Sequence, residues 1–316
     1  MATGGIVFSR PGSEARRNSN PTPRRVDILR RQRRAGWILV SPAFVAVSII
    51  LIIPLLAAAY FSFTDYSLLA PPKWVGLHNY RSVLSDPVFW ESVKNTLFFA
   101  LSQVAIGIVV ALLVAALFNG ALFGGSVMRT LIYLPQAASY VVVALVWNLL
   151  LDPAVGPINR LVTALGHSPV YFLTDAGLAM PSIVVMSMWR NLGYFMIIIL
   201  AALKSVPTEL LEAAEMDGAS AIRRFFSVTL PTISGVVSFV AITWFLGALQ
   251  MFTQSYVMTG GGPVNATRTV VYRIYDEAFT NLNVGKASAI AIILFVIVVA
   301  LSLLLRVILR TREEPS

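Results

Sequence analysis

The chain has 316 residues, 57% of them hydrophobic and 12% charged, and its mean hydropathy is +0.76. An ordinary soluble domain carries about 25% charged residues, so this composition argues against a water-soluble globular protein. The absence of cysteine excludes disulfides, thiolate metal sites and thiol nucleophiles.

Residues 1–34 form a basic tail. Nine of the chain's 24 lysine and arginine residues lie in it, and most of these stand close to the first apolar stretch. Basic residues beside a membrane span are typical of a topology signal or of contacts with lipid headgroups. We therefore predict membrane lipid as the partner of this tail, and no nucleic acid.

Six apolar stretches follow, each long enough to cross a bilayer as a helix. A transmembrane helix needs about 20 apolar residues, whereas barrel strands are about 10 residues long and alternate in polarity. Because backbone groups cannot stay unpaired in lipid, the stretches predict an all-α polytopic membrane protein. Their bounds are 35–63, 95–118, 130–151, 176–203, 233–258 and 287–305.

The distribution of lysine and arginine predicts the orientation of these spans. The N-terminal tail, the second and fourth connections and the C-terminal tail carry 16 of these residues, and the other three connections carry seven. The positive-inside rule therefore places both termini and connection 204–232 in the cytoplasm of a multi-pass protein of the inner, or plasma, membrane. The six-helix domain is predicted to cover residues 35–309, and the C-terminal tail residues 310–316.

Connection 204–232 is predicted to form two short helices with a turn between them. Pro207 suits a helix start, and Gly218 suits a left-handed helix stop. After the glycine, apolar residues recur at helical spacing and leave Arg223 and Arg224 on another face. Periodicity alone indicates an amphipathic surface connection and names no partner.

The residues of this connection carry a more specific pattern. Glu212-Ala213-Ala214 is followed at fixed spacings by Gly218 and by Val228-Thr229-Leu230-Pro231. This pattern resembles the cytoplasmic EAA motif of ABC-importer permeases, with valine where isoleucine is usual, and Asp217 resembles the sugar-uptake branch. The resemblance extends over residues 75–80, 134–135, 147, 156–159 and 259–263.

The chain thus resembles the permease subunits of binding-protein-dependent ABC importers of the maltose and glycerol-phosphate type. The resemblance implies a type I ABC-importer permease fold that moves a small-molecule solute by alternating access. It also implies a second, similar permease subunit in a heterodimer, a cytoplasmic ABC ATPase dimer and an extracytoplasmic solute-binding protein. The residues implied in coupling to the ATPase are Glu212, Ala213, Ala214, Asp217, Gly218, Val228, Leu230 and Pro231.

The sequence has no ATP-binding loop of its own. Its one Gly-Lys pair, Gly285-Lys286, is followed by alanine and does not fit G-x-x-x-x-G-K-[ST]. We therefore expect ATP and Mg to bind the partner ATPase, and we predict no catalytic residue, metal site or cofactor in this chain.

A second amphipathic segment, residues 269–281, lies on the predicted outer side. Its apolar residues share one helical stripe, opposite Arg273, Asp276 and Glu277. The apolar residues are Val270, Val271, Ile274, Tyr275, Ala278 and Phe279. The stripe either rests on the membrane surface or meets the solute-binding protein, and the sequence favours neither.

Arg190 is the one charged residue deep in a predicted span, and no acidic residue lies in any span. An intramembrane charge costs at least ~2.5 kcal/mol on insertion scales, so we expect Arg190 to face a cavity or a partner. It either bonds to helix-end carbonyls or to the partner permease, or it attracts a phosphate or hydroxyl-rich solute.

By the same resemblance, the solute pathway follows the fourth and fifth predicted spans. The positions that match the family's sugar contacts are Ser187, Arg190, Asn191 and Tyr194, then Trp244, Ala248 and Met251. Trp244 either stacks on a sugar ring or packs between helices. The maltose-type relative has polar amides where this chain has Ala248 and Met251, which argues against a strong site in this subunit.

Other polar residues of the spans are expected to form hydrogen bonds between helices. In the fifth predicted span these are Gln250 and Gln254, on a face beside that of Trp244. In the third they are Gln136, Tyr140 and Asn148.

The predicted function is import of a sugar or sugar-like solute, and import of glycerol 3-phosphate or glycerophosphodiesters is the alternative. A proton-coupled secondary transporter usually places Asp, Glu or His inside the membrane, and here no span contains one. A membrane-embedded enzyme needs paired carboxylates, a metal cluster or an activated nucleophile near one interface. Glu212 and Glu215 lie close together on one predicted helix, but they belong to the EAA motif.

Overall fold

The computed structural model describes residues 36–120 and 125–310, with side chains up to residue 304. The predicted tail 1–34 and residues 311–316 of the predicted C-terminal tail lie outside the described residues. The chain divides after Leu56 into two units, which are described separately.

Helix α1, Gly36–Phe61, makes up the described part of the first unit and continues into the second. Its 26 residues carry no charge, and at ~1.5 Å per residue they are long enough to cross ~30 Å of hydrocarbon. The turn before Pro54 is π-helical, and the Ile53 N–H donates to the Ser48 carbonyl. A wider turn is expected there because proline lacks an N–H and disturbs the regular ladder.

The second unit begins with a hairpin that the all-α prediction missed. Strands β1, Thr64–Ser67, and β2, Ala70–Trp74, pair antiparallel. Helix α2, His78–Leu84, follows, and helix α3, Pro87–Asn119, starts behind the N-cap Asp86.

The remaining helices continue in chain order. They are α4 (Gly125–Ala137), α5 (Tyr140–Leu151), α6 (Pro157–Ala164), α7 (Ala179–Lys204), α8 (Thr208–Met216), α9 (Ala221–Thr232), α10 (Ser234–Leu249), α11 (Thr253–Met258), α12 (Val270–Tyr275, continued by a π-helical turn, Asp276–Thr280) and α13 (Val284–Arg310).

Among the described residues, four unbroken helices are long and apolar enough to cross a membrane: α1, α3, α7 and α13. They coincide with four of the predicted spans, although α3 starts earlier than predicted. Two bent pairs bring the number of spans to as many as six, with bends of 101° between α4 and α5 and 70° between α9 and α10.

Two of the predicted spans are not the single helices expected, because each is interrupted within its predicted bounds. Stretch 130–151 breaks at Ala138, just after Pro135, and Ser139 caps the new helix by accepting from the Val142 N–H. Stretch 233–258 ends its helix at Leu249, and residues 250–252 separate it from α11. Both stretches remain free of charged residues across the break, which is why the length of the uncharged stretch does not reveal it.

Two buried asparagines fix irregular connections, and both lie in segments that carry the family resemblance. Asn79 donates to the carbonyls of Ser62 and Thr64 at 3.0 and 2.8 Å. Asn159 bonds to both the N–H and the carbonyl of Val170, at 2.7 and 3.0 Å. Both side chains thus bond to backbone groups of irregular segments. These groups lack the hydrogen-bond partners that a regular helix provides.

Helix α7 lies at the centre of the bundle and contacts α3, α4 and α10. Its contact with α4 depends on Gly193, because a Cβ at this position would lie 2.3 Å from the Ile132 carbonyl oxygen. Small residues allow transmembrane helices to approach this closely. Since the obstructing atom belongs to the backbone, a larger side chain cannot be accommodated by a rotamer change.

We predict that Gly193→Ala lowers the stability of the full-length chain in detergent, measured by thermal unfolding. Overpacking costs about 1–3 kcal/mol, which exceeds the ~0.5–1 kcal/mol that alanine gains over glycine in a helix. Gly247→Ala in α10 is the matched control, because a Cβ there meets no atom within 4 Å. Equal unfolding temperatures for the two variants would contradict the close contact of α4 with α7.

Candidate functional site: a polar cavity and an exposed elbow

A cavity of about 260 Å³ lies where helices α3, α4, α5, α7, α10 and α11 meet. Five of the seven predicted pathway residues line it: Arg190, Asn191, Tyr194, Trp244 and Ala248. The other lining residues are Phe99, Gln103, Gln136, Tyr140, Phe195, Thr243, Gly247 and Gln254. The breaks at Ala138 and at residues 250–252 thus bring residues from both sides of each break to one place.

The two remaining pathway residues are not part of the cavity lining. Ser187 is fully buried, and its hydroxyl has no hydrogen-bond partner among the described residues. Met251 is 2% exposed and packs in the apolar core with Leu249 and Met258. In this structure neither side chain is open to a solute.

Arg190 donates hydrogen bonds to the backbone carbonyls at the break between α4 and α5. Its Nε and Nη2 donate to the Ala138 carbonyl at 3.2 and 2.9 Å, and Nη2 also donates to the Gln136 carbonyl at 3.1 Å. Nη1 donates to the side-chain oxygens of Gln136 and Asn191 at 3.0 and 3.2 Å. These five bonds match the five N–H groups of a guanidinium. Of the alternatives from the sequence, the structure shows the bonds to helix-end carbonyls.

The charge of Arg190 is held without a carboxylate. Within the described ranges no acidic group lies within 4.0 Å of it, and the guanidinium instead lies 3.8 Å above the Tyr140 ring. The Tyr140 hydroxyl donates to Asn191 Oδ1 at 2.9 Å. Carbonyl dipoles and a cation–π contact are therefore the stabilising partners of this charge.

Trp244 is a packed wall of the cavity. Its ring stacks on Phe195 at 4.2 Å, and its Nε1 donates to Gln103 Oε1 at 3.1 Å. Gly107 leaves room for the ring, because a Cβ there would lie 2.3 Å from Cη2 of Trp244. With 2% of Trp244 exposed, the structure favours packing over stacking on a sugar ring. Sequence reasoning missed Gln103, which is 1% exposed and holds the indole in place.

A cluster of ion pairs joins the N-terminal ends of α3 and α13 to α12, and the sequence analysis did not anticipate it. Arg273 Nη2 lies 2.7 Å from Asp86 Oδ2 and 2.8 Å from Glu277 Oε1. Lys286 Nζ lies 3.2 Å from Glu277 Oε1 and 3.7 Å from Asp86 Oδ2. Two cations and two anions thus compensate one another, which makes the burial of Glu277 tolerable.

The sequence analysis placed Arg273 and Glu277 opposite the apolar stripe of segment 269–281, and the structure shows that neighbouring helices cover both residues. Glu277 is 3% exposed, and Val270 packs with Phe89 and Ile290 in an apolar cluster. The reason is that α12 lies between other helices, so both of its faces are in contact. Burial raises the pKa of the Asp276 carboxyl. This effect is larger than the lowering of the same pKa by the positive charges of Arg268 and Arg273.

The EAA-like motif forms the helix–turn–helix that the sequence predicted, here called the elbow (α8, residues 217–220 and α9). The N–H of Ala219 bonds to the Ala214 carbonyl and that of Gly218 to the Glu215 carbonyl. This is the Schellman arrangement, and Gly218 takes the left-handed conformation at φ = +76°. Across the turn, Glu215 and Arg224 form an ion pair.

The elbow presents its motif residues outward. Glu212, Ala213, Asp217, Gly218 and Pro231 are exposed. Ala214, Val228 and Leu230 are half-buried, and Leu230 packs towards the core beside α3. The acidic and alanine positions are therefore accessible, while the C-terminal part of the motif anchors the elbow to the bundle.

Comparison with known proteins identifies the family. Residues 103–313 match the family described as "Binding-protein-dependent transport system inner membrane component". The chain belongs to this family. It is a permease subunit of an ABC importer, and the matched region contains the elbow and every cavity-lining residue except Phe99.

Two similar permeases match over most of their length. The probable ABC transporter permease protein YesP of Bacillus subtilis (strain 168) is 33% identical over 282 residues, which covers 88% of this chain and 91% of YesP. The sn-glycerol-3-phosphate transport system permease protein UgpA of Yersinia pestis is 34% identical over 270 residues, covering 85% and 91%.

A solved structure shares the permease fold. A chain of a bacterial ABC transporter involved in the import of the acidic polysaccharide alginate superposes with a TM-score of 0.81 at 22% identity, covering 90% of this chain and 99% of that one. The predicted type I ABC-importer permease fold is thereby confirmed.

For this permease we predict that Arg190→Met is strongly destabilising and that Arg190→Lys is intermediate. Methionine leaves the Gln136 and Ala138 carbonyls unpaired, at about 1–3 kcal/mol for each buried group, and lysine offers three donors without the planar fork. Thermal unfolding of the full-length chain measures the order.

Arg160→Met is the control for these variants, because Arg160 is exposed on α6 and makes no side-chain hydrogen bond with the described residues. An exposed site of this kind changes stability by about 0.5 kcal/mol or less. Finding Arg190→Met as stable as Arg160→Met would show that the guanidinium does not hold the break together.

Proposed function

We propose that this permease forms a heterodimer with a second, similar permease subunit and imports a sugar or sugar-like solute across the inner membrane. A cytoplasmic ABC ATPase dimer drives the transport, and an extracytoplasmic solute-binding protein delivers the solute. The observation that carries the proposal is the exposed elbow, in which a glycine turn presents Glu212, Ala213 and Asp217 away from the bundle.

The elbow is suited to transmit a movement of the ATPase to the helices of the permease. The two alanines allow a partner surface to approach closely, and the carboxylates of Glu212 and Asp217 offer acceptors to cations or helix N-termini. The ion pair between Glu215 and Arg224 joins α8 to α9, so the elbow moves as one piece. Closure of the ATPase dimer then rocks the helices between inward-open and outward-open states.

The orientation that this mechanism needs is the one indicated by the basic residues. Both termini and the elbow lie in the cytoplasm, and the ion-pair cluster around Arg273 lies on the outer side with the site for the binding protein. The basic tail 1–34 contacts anionic lipid headgroups.

The second candidate solute is glycerol 3-phosphate or a glycerophosphodiester. The specific observation in its favour is the 34% identity to UgpA, whose name gives sn-glycerol 3-phosphate as its solute. The name of the alginate importer, in contrast, gives a polysaccharide.

Reconstitution tests the proposal. The permease, its partner permease, the ATPase dimer and the solute-binding protein are placed in proteoliposomes, and uptake of radiolabelled sugars and of sn-glycerol 3-phosphate is followed. The proposal requires uptake that depends on both ATP and the binding protein. Uptake that persists without either one, or that follows a proton gradient, would refute it.

We predict that Gly218→Val uncouples the transporter, so that ATP hydrolysis continues while uptake falls at least about tenfold. No atom lies within 4 Å of a Cβ at this position, so the effect comes from the left-handed backbone, which costs a non-glycine residue about 1–2 kcal/mol. ATPase activity and uptake are measured on the same proteoliposomes.

Gly218→Asn is the matched control, because asparagine tolerates the left-handed region far better than valine. It is expected to keep most of the coupled uptake. The role of the turn would be disproved by a Gly218→Val transporter that takes up solute at the unmodified rate.

A further inference from the structure

Gln254 occupies an unexpected place in the fold. The sequence assigns it to a continuous fifth span, but the helix ends at Leu249 and Gln254 is the second residue of the separate helix α11. Because of this break, the Gln254 side chain lines the cavity, and Gln254 is 6% exposed. Gln250, its neighbour in sequence, is exposed and donates to the Leu246 carbonyl of its own helix at 3.4 Å.

The amide of Gln254 is open to the cavity and has no partner among the described residues. Its side chain forms no hydrogen bond with them, and its polar atoms, unlike the Ser187 hydroxyl, are not fully enclosed by the protein. The two donors and two acceptor sites of this amide are therefore accessible from the cavity. Because Gln254 lines a cavity, a molecule in that cavity is the partner that its position provides for.

Two further amide nitrogens of the cavity are unused. The Gln136 and Asn191 side-chain oxygens accept from Arg190, but their NH₂ groups donate to no described residue. With Gln254 and the acceptor oxygens of Tyr140 and Thr243, the cavity offers neutral donors and acceptors. Such a set is suited to hydroxyl groups, which donate and accept at once.

The one cation of the cavity is already committed. All five N–H groups of Arg190 point at oxygens of Gln136, Ala138 and Asn191. An anionic group on a solute would have to take these donors from the carbonyls at the helix break and leave buried acceptors unpaired. A neutral solute leaves the guanidinium in place.

We propose that Gln254 is a solute-contacting residue and that, with the amides of Gln136 and Asn191, it selects a neutral, hydroxyl-rich solute over an anionic one. This inference rests on the proposed function, since it takes the cavity to lie on the path of the imported solute. It also accounts for the apolar side chains at Ala248 and Met251, because the polar contacts come from other positions.

Gln254→Met tests the contact. Methionine is unbranched and of similar length but cannot form the amide's hydrogen bonds, so we expect uptake at saturating solute-loaded binding protein to fall about three- to tenfold. The fully assembled transporter in proteoliposomes is used, with neutral mono- and disaccharides and sn-glycerol 3-phosphate as the probes. The thermal unfolding temperature should stay the same or rise, because no protein group loses a partner.

Gln250→Met is the matched control and should transport at the unmodified rate. Three results would overturn the contact: normal uptake by Gln254→Met, a parallel loss of uptake and unfolding temperature, or failure of the variant to assemble. The last two would show that the protein itself needs the amide.

The choice of solute class is tested with the unmodified transporter. Uptake of a neutral saccharide and none of sn-glycerol 3-phosphate supports the inference, whereas uptake of sn-glycerol 3-phosphate alone overturns it. Both results leave the proposed import function standing. The absence of any uptake dependent on ATP and the binding protein would refute that function instead.

Discussion

The backbone's need for hydrogen bonds inside a membrane governs this structure. In lipid no water is available to carbonyl groups, so an interrupted helix is possible only where protein groups replace its missing bonds. The third span is interrupted at Ala138, and Arg190 of α7 supplies the replacement donors. The same hydrogen bonds thus lower two energetic costs, that of a charge in the membrane and that of a broken helix.

The cavity is a consequence of this arrangement. The bend of 101° after α4 directs α5 away, so that Gln136 and Tyr140 face Asn191 across the break. The second interruption, after Leu249, brings Gln254 to the same place. The ion-pair cluster around Arg273 joins α3, α12 and α13 without leaving a net charge. Polar side chains from neighbouring elements thus hold the break at Ala138 and the N-terminal ends of α3 and α13.

Features with a local signal could be predicted from the sequence. Hydropathy located the apolar stretches, and Gly218 indicated the elbow because a left-handed helix stop depends on a few adjacent residues. Features that depend on distant contacts could not be predicted. Hydropathy does not register the break at Ala138, and periodicity placed Arg273 and Glu277 opposite the apolar stripe without showing that neighbouring helices cover them. For Arg190 and Trp244 the residue type allows two roles each, and only the contacts of these side chains decide between them.

A map of the assembled transporter with solute bound would decide whether Arg190 holds the helix break or binds the solute. We expect the guanidinium of Arg190 still to bond to the Gln136 and Ala138 carbonyls while the solute contacts the amides around it. A map in which Arg190 has left those carbonyls and binds an anionic group of the solute would contradict it.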